Sequence, residues 1–138
     1  MNMNTQLTEE QLDGVLRRLF LEHQGQAKAI KRWDLVVKVF GEGSDIPRSD
    51  DNLQDRSIRS AVERLRRHGV LILDFNDGRG RFLCKDEEEY WNFRSRYLKP
   101  LKARANTIKV LDKAAQQKFP SLLQPSLFDL SEVERVLE

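Results

Sequence analysis

The 138-residue chain is 39% hydrophobic and 33% charged, with a formal net charge of +2, a composition that suits one compact domain with extensions rather than two full cores. No apolar run approaches the roughly 20 residues that span a bilayer, so no membrane partner is expected, and Met1–Gln6 lacks the basic and apolar parts of a secretion signal. One cysteine, Cys84, excludes an internal disulfide, and with His23 and His68 it makes no zinc set, which leads us to expect a reducing cytoplasm with no metal and no cofactor.

In chain order, Thr8 and Gln11 form a capping-box pattern with Glu9 and Glu10 near the positive helix end. Leu12, Val15, Leu16, Leu19 and Phe20 follow at helical spacing, and Gln24-Gly25-Gln26 is expected to end this helix. Ala27–Lys31 reads as a short connection or a brief strand. A second helix is expected from Arg32 or Trp33 to Phe40, with Trp33, Val36, Val37 and Phe40 inward and Gly41-Glu42-Gly43 as its stop. Ser44–Asn52, with Pro47, is a polar loop.

The most regular helical pattern starts between Asp51 and Asp55 and ends at Gly69. Ile58, Ala61, Val62 and Leu65 share one side. Arg56, Ser60, Glu63 and Arg67 share the other, with Arg59 at the flank. Arg66, Arg67 and His68 oppose the negative helix end, and Gly69 supplies the cap. Val70–Leu73 is expected as a buried strand, Asn76–Gly80 as its turn, and Arg81–Cys84 as the returning strand. From Asp86 a helical pattern runs to about Phe119, kinked or split at Pro100, which lacks a backbone donor. Its Tyr90/Tyr97/Leu101/Ile108/Leu111/Ala115 side leaves two readings open, a homodimer seam or a face packed on the preceding domain, and no clean heptad decides between them. After Phe119, Pro120 and Pro125 mark a flexible tail.

Charge is distributed in blocks. Residues 56–81 carry seven arginines against three acids, and residues 94–118 carry eight Lys/Arg against Asp112 alone. The other segments are acidic, so the two basic blocks suit a polyanion. The acid run Asp86–Glu89 sits at a helix start, where carboxylates favour the dipole. No nucleophile, base or metal-ligand constellation appears, and no enzyme activity is expected.

Three helices followed by a hairpin is the layout of a winged helix. The run Asp55-Arg56-Ser57-Ile58-Arg59, continued by Leu65-Arg66-Arg67-His68-Gly69-Val70-Leu71-Ile72 and a Gly-rich turn, resembles winged-helix DNA-binding proteins of phages and mobile elements. That resemblance implies a fold that is mainly α with a small β-hairpin: residues 1–85 as the winged helix, 86–119 as a long basic helix, and 120–138 as the tail. Arginine supplies a bidentate fork that fits guanine or phosphate. Arg56 and Arg59, with Ser60, are therefore the expected major-groove residues. Arg67 is an expected backbone contact, and Arg79 and Arg81 are expected to grip phosphates or enter the minor groove from the wing.

In the tail, Gln124-Pro125-Ser126-Leu127-Phe128 resembles the Q-x-[S/D]-L-F pentapeptide by which bacterial replication and repair proteins bind the sliding clamp. Pro125 stands where Leu or Met is usual. The resemblance implies that Gln124 and Ser126 frame the contact while Leu127 and Phe128 fill an apolar pocket. The expected protein is a noncatalytic duplex-DNA-binding accessory factor of replication, recombination or repair, in a bacterial or phage-infected host cytoplasm. A transcriptional repressor with an incidental tail, and an interaction protein that occupies the host clamp, are the alternatives.

Overall fold

The computed structural model describes residues 7–75 and 77–123. The described residues form four α-helices and one antiparallel two-stranded sheet, in the order α1 (Glu9–Phe20), a 3-10 helix (Gln26–Lys28), α2 (Arg32–Phe40), α3 (Leu53–Arg67), β1 (Ile72–Asp74), β2 (Arg81–Leu83), α4 (Glu87–Lys118) and a second 3-10 helix (Pro120–Leu123). The chain divides into two compact units between Phe93 and Arg94. Among the described residues no helix is long and apolar enough to cross a membrane.

The first unit is built on α3, which packs against α1, α2 and β1. The capping box that opens α1 is formed in both directions. Thr8 Oγ1 accepts from Gln11 N at 3.0 Å, and Thr8 N donates to Gln11 Oε1 at 2.9 Å. Such a cap satisfies two otherwise unpaired helix-end donors. Leu12, Leu16 and Phe20 from α1, Leu35 and Val36 from α2, Ile58, Ala61, Val62 and Leu65 from α3, and Ile72 from β1 form one buried cluster. On α2 Trp33, Leu35, Val36, Val39 and Phe40 pack on this cluster, with Leu35 rather than Val37 joining Val36 as a buried residue.

Strand register gives the hairpin two working faces. Ile72 pairs with Leu83, Leu73 with Phe82, and Asp74 with Arg81. Because side chains alternate along a strand, Ile72 and Leu83 join the helical core, whereas Leu73 and Phe82 join Phe75 in a second cluster covered by Tyr90 and Phe93 of α4. The first unit therefore reaches past residue 85 to include the opening turns of α4. Glu89, buried at 5% exposure, is part of the reason. Its carboxylate accepts from Gln26 N and from Lys85 N, each at 2.8 Å.

Two local departures from the sequence expectation have clear causes. The strand begins at Ile72, not Val70, because the end of α3 uses the intervening amides. Val70 N donates to Leu65 O at 2.9 Å and Gly69 N donates to Arg66 O at 2.9 Å, with Gly69 at φ 86°. This is a Schellman ending, and it leaves Val70 outside the ladder. The Ala27–Lys31 segment is neither plain loop nor strand. It holds the end of the first 3-10 helix, and Ile30 makes an isolated antiparallel bridge to Arg81.

The second unit, described by itself, contains the Arg94–Lys118 part of α4 and the 3-10 helix after it. Pro100 lies within the helix and does not end it.

Candidate nucleic-acid interface

Asn52 fixes where α3 begins. Its Oδ1 accepts from Asp55 N at 2.9 Å, while its Nδ2 donates to Ser44 O at 2.9 Å and Pro47 O at 3.0 Å. One buried amide thereby caps α3 and pins the loop that joins it to α2. Directly below, the fully buried Asp55 carboxylate accepts from Arg32 Nε at 3.0 Å, Arg32 Nη2 at 2.7 Å and Arg59 Nε at 2.9 Å. Arg32 also reaches Asp50 Oδ1 at 2.7 Å, and Arg59 donates to Asp50 O at 2.9 Å. Burial alone would raise the Asp55 pKa, but Arg32 and Arg59 outweigh it and hold the carboxyl below its ordinary value. The same pairing raises that of Arg32.

The seven arginines of the 56–81 block have different roles. Arg64 binds Asp13 through two nitrogens at 3.1 and 2.8 Å and reaches Glu9 at 3.3 Å, joining α3 to α1. Its hydrogen bonds to Asp13 raise its pKa. Arg66 donates to Ile72 O at 2.7 Å and to Asp74 at 3.1 Å, joining α3 to β1. Arg59 serves the Asp55 network. Arg56 and Arg67 are exposed and have no ion pair among the described residues, and Ser60 is exposed between them on the same helix face. The shallow surface along this face is lined by Arg56, Arg59, Ser60, Glu63, Arg64 and Arg67. Helical spacing of 56, 60, 63 and 67 places these side chains in one row about 16 Å long at 1.5 Å per residue.

The hairpin arginines are arranged differently. Arg79 is exposed, but its Nε donates to Asp77 at 3.0 and 2.8 Å and its guanidinium lies 4.0 Å from the Phe75 ring centre. Arg81 is half-buried beside Arg66 and Asp74, and burial holds its pKa below the ordinary guanidinium value. Gly80, at φ 107°, has no room for a Cβ, which would fall within the Ile30 carbonyl. That close approach lets Ile30 and Arg81 exchange backbone hydrogen bonds at 2.8 and 2.9 Å and braces the hairpin against the entry to α2.

Of the residues selected from sequence, α3 thus brings Arg56, Ser60 and Arg67 together with Arg59 at the edge, while Arg79 and Arg81 belong to the hairpin. Gln124, Ser126, Leu127 and Phe128 lie outside the described residues. Sequence reasoning did not identify the supporting partners Arg32, Asp50, Asp55 and Asp13. Only the Asp55–Arg59 pair carried a local signal, an acid four residues before a base on a helix. Cys84 is partly buried, and burial raises its thiol pKa. Among the described residues no group of three or more His, Cys, Asp or Glu is placed to hold a metal ion. In comparisons with known proteins, the chain matches no family model, no curated protein and no solved structure.

Proposed function

We propose that the first unit is a winged helix that binds duplex DNA, with α3 as the recognition helix and the β1–β2 hairpin as the wing. The observation that carries this reading is the division of labour among the arginines. Arg64, Arg66 and Arg59 are spent on holding α3 to α1, β1 and the α2–α3 loop, whereas Arg56 and Arg67 project to solvent from the face opposite the core residues of α3, with Ser60 between them. A rigid helix presenting unpaired guanidinium groups has the chemistry for bidentate contact with guanine or phosphate. Arg79 is free to exchange its exposed Asp77 partner for a phosphate, since such an ion pair in water is worth little.

The protein is in this reading a noncatalytic accessory factor of bacterial or phage replication, recombination or repair, tethered to the sliding clamp by Gln124–Phe128. The clamp part rests on the pentapeptide resemblance, in which Leu127 and Phe128 supply the apolar anchor.

Gel-shift titration of the full chain on duplex DNA tests the first part. Arg56→Ala/Arg67→Ala is expected to weaken binding by about 10-fold to 100-fold, or about 1–3 kcal/mol, with the thermal midpoint unchanged. Wild-type protein that binds no duplex at low salt would rule the reading out. For the tail, a fluorescent Pro120–Ser131 peptide is expected to bind a bacterial clamp and to lose binding on Phe128→Ala. Binding that ignores Phe128→Ala would refute the tether.

A further inference from the structure

We propose that the 94–118 part of α4 is a second nucleic-acid contact, a lysine stripe that tracks the phosphate backbone independently of α3. This inference rests on the duplex-DNA reading above and adds a site to it. Eight Lys/Arg stand against Asp112 alone in these residues, all within a single helix. At 3.6 residues per turn, Lys99, Lys102, Lys109 and Lys113 fall within an arc of about 80° and extend for about 21 Å along the axis. Lys99, Lys102 and Lys113 are exposed and have no ion pair among the described residues.

A merely solvated helix face mixes its charges, because Lys at i,i+3 or i,i+4 from another Lys destabilises the helix. Here Lys99 and Lys102 are such a like-charge pair, exposed and with no ion pair among the described residues. That pair opposes helix stability by itself and is relieved by a polyanion. One strand of duplex DNA offers a charge every 3.4 Å or so of its axis, so a stripe of this length passes enough phosphates for each lysine. Lysine is also suited to the task, being a flexible point charge that makes no demand on sequence.

Two other occupants fit less well. A lipid surface would take up the side of the helix bearing Tyr97, Leu101, Ile108 and Leu111, but Arg104 falls in the middle of that side and is exposed, where an inserted face would be apolar. An acidic protein shares the charge logic and is distinguished by experiment.

The test is the salt dependence of duplex binding by the full chain. The slope of log K against log salt is compared among wild type, Lys99→Gln/Lys102→Gln/Lys113→Gln and Arg56→Ala/Arg67→Ala. Glutamine keeps helix propensity close to that of lysine, and far-UV circular dichroism of the lysine variant is expected to match wild type. Three lost phosphate contacts are expected to flatten the slope by about 2–3 and to weaken low-salt binding by more than about tenfold, equally on duplexes of different sequence. A slope equal to wild type overturns the stripe. If the lysine variant instead loses only binding to polyglutamate, the occupant is an acidic polypeptide and the proposal is likewise overturned. Duplex binding that survives Arg56→Ala/Arg67→Ala but loses its salt slope in the lysine variant would refute the α3 reading and leave the stripe standing.

Discussion

Asp55 lies buried beneath Arg32 and Arg59 and caps nothing itself; its carboxylate is the joint between the start of α2 and the start of α3. Its folded-state pKa is depressed below the ordinary carboxylate value of about 3.9. A depressed carboxyl contributes stability that is fully present above the unfolded pKa and is lost as pH falls through the folded one. Thermal melts are therefore expected to show Asp55→Asn well below wild type at pH 7, with the gap closing below about pH 4. The expected cost at neutral pH is about 2–3 kcal/mol, beneath the range for a fully buried pair because both guanidinium groups retain solvent contact. A gap that stays constant down to the lowest pH would show that packing, not charge, holds this joint. At this scale the outward set Arg56, Ser60 and Arg67 was legible from helical spacing, since periodicity assigns faces. The inward roles of Arg64 and Arg66 were not, because Asp13 and Asp74 become neighbours only once α1 and β1 have packed on α3.

Among the elements, α1 and α3 were the easiest to read in advance: a capping box opens one, a Gly-terminated basic turn closes the other, and each carries an apolar stripe. The hairpin was readable as a hairpin, but its start was displaced because the Schellman ending of α3 claims the Val70 amide. The contribution of Ile30 was hidden for another reason, as a single bridge leaves no alternating pattern in sequence. That bridge depends on Gly80. Gly80→Ala would combine a positive φ with a collision at the Ile30 carbonyl, at a cost of about 1–3 kcal/mol. We expect hydrogen exchange of the Ile30 and Arg81 amides to accelerate while the α1 and α3 amides stay protected. Uniform acceleration throughout the first unit would mean that the hairpin and the helices open as one. Of the two outcomes expected at Pro100, a kink or a split, the split does not occur, and α4 runs on through it. Pro100 lacks its own donor and crowds the carbonyl four residues back, a local loss that interrupts a 32-residue helix without ending it.

For the whole molecule, the mainly helical architecture with a small hairpin followed from hydrophobic period and turn chemistry, while the extent of the first unit did not. Residues 86–93 read as the opening of a separate helix, yet Glu89 holds the distant Gln26 amide as well as the nearby Lys85 amide, and Tyr90 and Phe93 cover the outer face of the hairpin. The functional proposal joins this scaffold to a duplex through α3, and its most direct test is positional. A photocrosslinking amino acid placed at Ser60, in the centre of the proposed face, is compared with the same residue at Glu10, which is exposed on α1. With bound duplex DNA, strong protein–DNA crosslinks are expected from position 60, weakened by Arg56→Ala/Arg67→Ala, and none from position 10. Duplex that binds tightly but crosslinks from position 10 and not from position 60 would contradict the assignment of α3 as the DNA-reading element.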